Sequence, residues 1–310
     1  MIRPVNTVST PTFDNIKEKI TDLIRNKNAK IPTLPVIAQN ILTVTRNEKT
    51  SANDLAKFID QDQAIANKVL KLSNSSYYGV SRKVDSIVRA ITVVGFNEIV
   101  GLTVGVGILP ALKIQEVQKI LKMEDLWLHA IACCFAAKEI DRLVSLKSTS
   151  HKGDLSGGGK SVFLTALLHD IGKVIFTLNF PQEYAFVLKK AGEYDAPLEE
   201  MEKEILGNDH AQLAARIMDI WNFPENIIVP IRYHHMPDKC KSDYQQDAFI
   251  VSFANYIVHK VRIGDSANRT RLEDQYFMEN LKLDEKNVKY IYTQVKAQRA
   301  DIENFFNVMK

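Results

Sequence analysis

An all-α fold is what this amino-acid sequence predicts, and three observations carry that reading. Apolar residues recur three and four apart along most of the chain, the period that lines one face of a helix. Glycine (13) and proline (10) are sparse among 310 residues, which disfavours a loop-rich β architecture. No segment shows convincing period-2 alternation, the mark of a half-buried strand.

Residues 1–14 read as a polar tail bearing threonine and proline, a terminus of the kind that frays. Leu34, Ile37, Ile41 and Val44 fall at offsets 0, 3, 7 and 10, one stripe of a helix opened near Pro32. Ser51 and Asp54 form a capping signal ahead of Leu55, Phe58 and Ile59. Ile65, Val69 and Leu72 continue the pattern, and Val84, Ile87, Ile91 and Val94 repeat the first spacing after a break at residues 74–79. Residues 99–112, the most apolar stretch, read as a buried helix: 14 residues interrupted by three glycines and Pro110 are too short to span a bilayer.

A second helical set follows. One helix is predicted over 123–144, then an exposed loop over 145–160, rich in Ser, Gly and Lys. Helices follow over 161–168, 181–191 and 198–206. Asn208 and Asp209 can cap another through Trp221, and Pro224 opens one that reaches His234 and His235. Pro230 lies inside that last helix, where proline costs about 3 kcal/mol relative to alanine, so a kink or a later start is expected. Amphipathic helices over 248–262 and 287–309 complete the chain.

Composition excludes several classes. Hydrophobic residues make up 45% and charged residues 25% of the chain, ample for a core and an ordinary surface. The net charge of +3 is spread thinly, without the basic run that nucleic acid or an acidic membrane would require. Three cysteines, Cys133, Cys134 and Cys240, make no disulfide framework and suit a reducing compartment. With no apolar h-region at the start, a cytoplasmic address is expected. Gly157, Gly158, Gly159, Lys160 and Ser161 fail as a phosphate-binding loop, because Asp154 stands where the first glycine is needed. Asp60 and Asp62 lack the calcium-loop pattern and read as capping and solvated groups. Tyr77, Tyr78, Trp127 and Trp221 read as packing residues, and His151 and His259 as ordinary histidines.

Chemistry concentrates in four clusters: Asp125 with His129 four residues on, the adjacent pair His169–Asp170, the lone His210, and the adjacent pair His234–His235. Imidazole and carboxylate suit Fe, Mn, Ni, Co or Zn, and the lack of cysteine partners argues against a structural zinc knot. Adjacent residues on a helix point about 100° apart, at roughly 3.6 residues per turn. A pair of that kind serves two neighbouring ions better than one, with a carboxylate between them, as in two-metal hydrolysis.

The segment Leu167-Leu168-His169-Asp170-Ile171-Gly172-Lys173, with His210 and His234–His235, resembles the signature of the HD metal-dependent phosphohydrolases. The order of clusters is most similar to the HD-GYP branch, with Asp125 at a position usually held by Glu. Residues 31–35, 62–79, 87–95 and 221–224 are similar to the HDOD domain, a resemblance covering roughly residues 25 to 260. It implies an HD-type helical bundle with an N-terminal helical lobe: a tail over 1–14, the lobe over 15–115, a metal-site lobe over 116–262 and a helical extension over 263–310. It also implies a ligand set of Asp125, His129, His169, Asp170, His210, His234, His235 and Asn255 for one or two divalent transition metal ions (Fe, Mn, Ni or Zn). Asp170 would bridge, and Lys173 would contact a substrate phosphate.

Two departures from the HD-GYP pattern bear on function. No Gly-Tyr-Pro segment follows His235, which removes the main reason to nominate cyclic-di-GMP as substrate. Asn255 stands where the final acidic ligand is expected, with Asp243 and Asp247 as alternatives. The leading expectation is therefore a signalling or regulatory HDOD protein that keeps a metal centre and acts through a protein partner. A metal-dependent phosphohydrolase of a nucleotide or another small phosphoester is the alternative, and a metal-free scaffold is the third reading.

Overall fold

The computed structural model describes residues 15–25, 32–47, 49–112, 115–147, 162–241, 243–269 and 272–310. The expected tail over 1–14, and Gly157–Ser161 with most of the expected 145–160 loop, lie outside these. Every regular element among the described residues is helical.

The first half is a set of short helices: α1 (Ile16–Arg25), α2 (Val36–Thr45), α3 (Ala52–Ile59), α4 (Gln63–Ser73), α5 (Ile87–Val94), α6 (Phe96–Ala111) and α7 (Gln115–Gln118). Local chemistry starts several of them. Ser51 Oγ accepts from the Asp54 N–H at 3.2 Å while the Asp54 carboxylate accepts from the Ser51 N–H at 3.1 Å, a closed capping box on α3. Asp62 caps α4 by accepting from the Ala64 and Ile65 N–H groups, both at 3.0 Å. α6 is buried on nearly every side and packs on α2, α4 and α5.

The second half is built on α8 (Met123–Lys147), a 25-residue helix. Around it stand α9 (Val162–Leu168), α10 (Ile171–Asn179), α11 (Pro181–Tyr194), α12 (Leu198–Leu206), α13 (His210–Ile220), α14 (Glu225–Tyr233), a 3-10 turn (Pro237–Lys239) and α15 (Gln245–Val261). α9 and α15 pack directly on α8, and α14 packs on α9, α13 and α15. Among the described residues, consecutive apolar helices at 162–179 make the one 18-residue stretch hydrophobic enough to cross a membrane, and 89% of it is buried within the bundle, as expected of a core.

Three local expectations need correction. α14 begins directly after Pro224 and runs through Pro230 to Tyr233, so of the two outcomes expected at Pro230, a kink or a later start, the later start does not occur. The single helix expected over 287–309 is two, α17 (Glu285–Ala297) and α18 (Arg299–Met309), parted at Gln298 and preceded by α16 (Asp274–Leu281). The loop expected from residue 145 begins later, because α8 continues to Lys147. α10 and α16 stand where the apolar stripe is too short to be distinct.

α18 ties the two halves together, packing on α8, α4 and α6. Phe305 on α18 meets Tyr77 at 5.5 Å, Phe135 at 5.6 Å and Phe163 at 6.1 Å between ring centroids. Phe135 and Tyr77 are 4.3 Å apart. Tyr77 is thus a packing residue at the junction of α8, α9, α18 and the first half. Truncating this wedge, Phe305→Ala, should cost about 3–5 kcal/mol of stability, the usual range for a buried phenylalanine. The check is the shift in urea midpoint at unchanged slope, and a loss under about 1 kcal/mol would show the two halves to be held elsewhere.

Candidate metal centre

Short-range structure aims each histidine. His169 ends α9, and its Nδ1 lies 2.7 Å from the Ala166 carbonyl oxygen. A carbonyl can only accept, so Nδ1 carries a proton and Nε2 is the nitrogen that faces the cluster. The same logic holds for His234 at the end of α14, whose Nδ1 lies 2.7 Å from the Ile231 carbonyl oxygen. His210 opens α13, held there by the Asp209 cap on the Gln212 N–H at 2.7 Å. Its Nδ1–H donates to Glu202 at 2.6 Å, and its backbone N–H donates to the same oxygen at 2.8 Å. The Tyr184 hydroxyl donates to the other Glu202 oxygen at 2.7 Å. Three imidazoles are therefore oriented by outer partners that fix their tautomers, the arrangement metal-ligating histidines usually show.

Their free nitrogens converge on Asp170, the residue that starts α10. Asp170 Oδ1 lies 3.1 Å from His210 Nε2 and 4.0 Å from His234 Nε2, and Oδ2 lies 3.2 Å from His169 Nε2. Yet His169 Nε2, His234 Nε2 and Asp170 Oδ1 are buried and make no hydrogen bond of normal geometry. His235 Nε2 faces His210 Nε2 at 2.9 Å. Donors on bonds of about 2.1 Å to one ion lie about 3.0–3.4 Å apart in octahedral or tetrahedral geometry. Buried, mutually facing donors near that spacing fit a cation, with the His210–His235 pair hydrogen-bonded and the His210–Asp170 pair held by opposite charge without one. Gly172 makes the convergence possible, since a Cβ there would collide with the His210 carbonyl oxygen and force α10 away from α13.

Electrostatics point the same way. Burial opposes the Asp170 charge, but His169 and Lys173 outweigh it and hold the carboxyl well below its usual range. Burial pushes His129 down to about 3 and keeps His234 and His235 well below the ordinary imidazole value, so all three are neutral and free to ligate. His210 differs: burial opposes its charge, yet Glu202 lifts it to about 9.

The donors fall into two groups, each with its atoms within 4.8 Å of one another. One is Asp170, His210, His234 and His235, and the other is His129, Cys133 and His169. Asn255, on α15, stands beside the second group with its Oδ1 2.9 Å from His129 Nε2. Of the residues singled out from the sequence, His129, His169, Asp170, His210, His234, His235 and Asn255 come together and Asp125 does not. Asp125 lines a separate cavity of about 380 Å³ with Trp127, Phe306 and Lys310. The segment after α15 packs against the α8 backbone here: the Asp125 carbonyl accepts from the Asp265 N–H at 3.1 Å, and Gly264 (φ +66°) lies against the Asp125 carbonyl and the His129 N–H. The donor near His129 sits one turn after it, Cys133, not one turn before.

Lys173 also differs from expectation. It is fully buried and donates to Asp170 Oδ2 and to the Ser266 carbonyl, both at 2.8 Å, so its ammonium is the counter-ion of Asp170 and does not face a substrate phosphate. The sequence reading missed Glu202 and Cys133. Cys133 had a visible signal, its spacing of four from His129, whereas Glu202 meets His210 only through the turn between α12 and α13.

A cavity of about 240 Å³ reaches His234, His235 and Asn255, and Glu199, Glu200, Lys203 and His259 help to line it. Burial raises Glu199 to about 7. Asp170, His169 and Lys173 do not line it.

Helical architecture and a buried histidine–aspartate cluster define the class: an HD-like α-helical domain. Residues 31–237, more than half of the chain, match the HDOD domain model, and the chain belongs to the HDOD family. A protein of Treponema pallidum (strain Nichols) is 24% identical over 259 residues, covering 83% of this chain and 48% of that one. The chain thus spans about half the length of that curated relative. Solved structures share the fold. A candidate signal transduction protein of Marinobacter aquaeolei VT8 superposes with a TM-score of 0.72 at 21% identity, covering 97% of this chain and 67% of that one. An HDOD domain protein of Geobacter sulfurreducens gives 0.68 at 19%, covering 95% and 96%. A candidate metal-dependent phosphohydrolase of Shewanella amazonensis SB2B gives 0.61 at 17%, covering 92% and 98%.

The counter-ion role of Lys173 has a consequence for stability. Lys173→Met leaves the Asp170 carboxylate buried without its cation, which should cost the metal-stripped protein about 3–5 kcal/mol. Added zinc or manganese should restore part of that loss, as read by chemical denaturation with and without the metal. Unchanged stability in both conditions would return Lys173 to a substrate-facing role.

Proposed function

We propose that this chain is a regulatory HDOD protein that holds one or two divalent transition metal ions and signals through a protein partner in the cytoplasm. The observation that carries the metal reading is the convergence of three imidazoles, each oriented by an outer partner, on a buried, ionised Asp170. One ion would be held by Asp170, His210, His234 and His235, and a second near His129 and His169 with Asn255. When bound, such ions supply Lewis acidity and lower the pKa of a bound water.

Restricted access favours regulation over turnover. Asp170 is 2% exposed, and residues 263–268 cover this region by bonding Lys173 and Asp125. The neighbouring cavity is smaller than the roughly 300–1,000 Å³ of ordinary ligand sites. Of its charged lining, Glu200 opposes an anionic guest while Lys203 attracts one, and Glu199, raised to about 7, adds negative charge only as it ionises. The signalling description of the Marinobacter aquaeolei VT8 relative agrees with this reading.

Hydrolysis of a nucleotide or other small phosphoester is the second reading, and the contact of that cavity with His234, His235 and Asn255 favours it. There, Glu199, at about 7 and 3.6 Å from His235, could exchange a proton near neutrality, and Lys203 could draw in an anion.

Protein purified without chelator or affinity tag should carry Fe, Mn, Ni or Zn near stoichiometric level, and Asp170→Ala should release it with helical content retained. No metal and no uptake of added metal would leave the scaffold reading in front. Asn255→Asp should raise occupancy of the second ion, because outer partners alone change affinity about 10–100-fold and a new ligand charge acts more directly. Unchanged titration would place Asn255 outside the centre.

In a panel of cyclic dinucleotides, nucleotides and a chromogenic phosphodiester, assayed with Mn, Fe, Ni and Zn, turnover should be weak and not directed at cyclic-di-GMP. Efficient cyclic-di-GMP cleavage abolished by His169→Ala would make this a hydrolase.

A further inference from the structure

We propose that Cys133 is a thiolate ligand of the second ion, completing a site with His129, His169 and Asn255 that selects zinc or another thiophilic metal. The inference rests on the metal-centre reading above and adds a donor of a different chemical kind.

Geometry brings Cys133 to this place. It follows His129 by one turn of α8, so both side chains leave the same face of one helix. Its Sγ lies 3.4 Å from His129 Nε2, and Asn255 Oδ1 lies 2.9 Å from the same nitrogen. The donor atoms of His129, Cys133 and His169 all lie within 4.8 Å of one another, and all three residues are buried. His169 Nε2 is fully buried and lies 3.2 Å from Asp170 Oδ2, so His169 stands next to both donor groups.

The neighbouring Cys134 shows what a purely structural thiol looks like in the same helix. Its Sγ donates to the Ala130 carbonyl at 3.2 Å and to the Phe163 carbonyl at 3.3 Å, both backbone acceptors. Cys133 instead faces an imidazole nitrogen that already faces an amide oxygen.

Charge supplies the second argument. His129 and Asn255 bring no negative charge to this group, no imidazole can become an anion near neutrality, and the nearby Asp170 is already paired with Lys173 through Oδ2. A dication among neutral donors in a buried site is poorly compensated. Cys133 is the donor in this group that can turn anionic: coordination releases the thiol proton to solvent and forms a metal–sulfur bond. A thiolate with imidazoles favours zinc, cobalt or iron over magnesium and calcium. The two sites thus differ in kind, one with a carboxylate and three imidazoles, the other with a thiolate.

The experiment is anaerobic titration of the metal-stripped full chain with cobalt(II), read by absorption. Ligand-field bands report cobalt bound anywhere, and a near-ultraviolet charge-transfer band reports a sulfur ligand. Wild type should show both. Cys133→Ser should lose the charge-transfer band and weaken one equivalent of cobalt by roughly tenfold or more, while Cys134→Ser keeps both. Should Cys133→Ser fail to fold, the double variant Cys134→Ser/Cys240→Ser leaves Cys133 as the sole cysteine and must still show the band. Cobalt bound without a sulfur band, or a band that survives Cys133→Ser, overturns the thiolate and leaves the metal centre standing. No cobalt bound at all overturns both.

Discussion

Asp170 keeps its charge while almost wholly removed from water. Burying an ion without partners costs several kcal/mol even after the protein relaxes, and much of the second half answers that cost. Lys173, one turn along α10, sits on one carboxylate oxygen, and imidazoles from α9, α13 and the end of α14 surround the group. Gly172 removes the side chain that would keep α13 away, and the Asp209 cap sets where His210 emerges. Carbonyls at Ala166 and Ile231 turn two rings so that their lone pairs face inward. These features belong to four separate helices and meet at one carboxylate.

The cluster is anchored outward as well as inward. His210 hands its Nδ1 proton toward Glu202, and Glu202 is held by the Tyr184 hydroxyl, so α11, α12 and α13 form one buried polar chain ending at the histidines. Buried networks of this kind are costly when any member is left unsatisfied, which makes the positions of these helices sensitive to what the cluster holds. On the other side, residues 263–268 connect Lys173, α8 and the start of α12 through Ser266, Asp265 and Asn268. A change at the cluster therefore has direct mechanical routes to the packing of the bundle, the physical requirement for a regulator that reports through its shape.

The same covering segment bears on access to the cluster. Substrates approach a catalytic metal through an open coordination position, whereas here the carboxylate and its lysine lie beneath residues 263–268. The cavity beside them meets the cluster at His234, His235 and Asn255. Structural occupation of Lys173 follows from the same burial: an ammonium next to Asp170 is worth more as its counter-ion than as a contact for a transient ligand.

Much of this was legible in the residues alone. Apolar spacing indicated the helical class, Ser51, Asp62 and Asp209 marked helix starts that the structure bears out, and the ordered His and Asp clusters indicated which side chains belong together. These are local properties: a capping group acts within three residues, and a helical stripe repeats every turn. Other features depended on tertiary packing. The bend at Gln298 that turns α18 back onto Tyr77 and Phe135 has no strong local signal. Asp125 and Cys133 are equally spaced from His129, one turn before and one turn after, so sequence spacing could not choose between them. The choice was made by residues 263–266, which lie against the α8 backbone at Asp125 and His129, and by α9, which brings His169 toward Cys133. Lys173 reads as an exposed phosphate contact until Ser266, 93 residues away in the chain, closes over it. Side-chain types and their periods are written in the sequence, but which face of a helix becomes interior is decided by what packs against it.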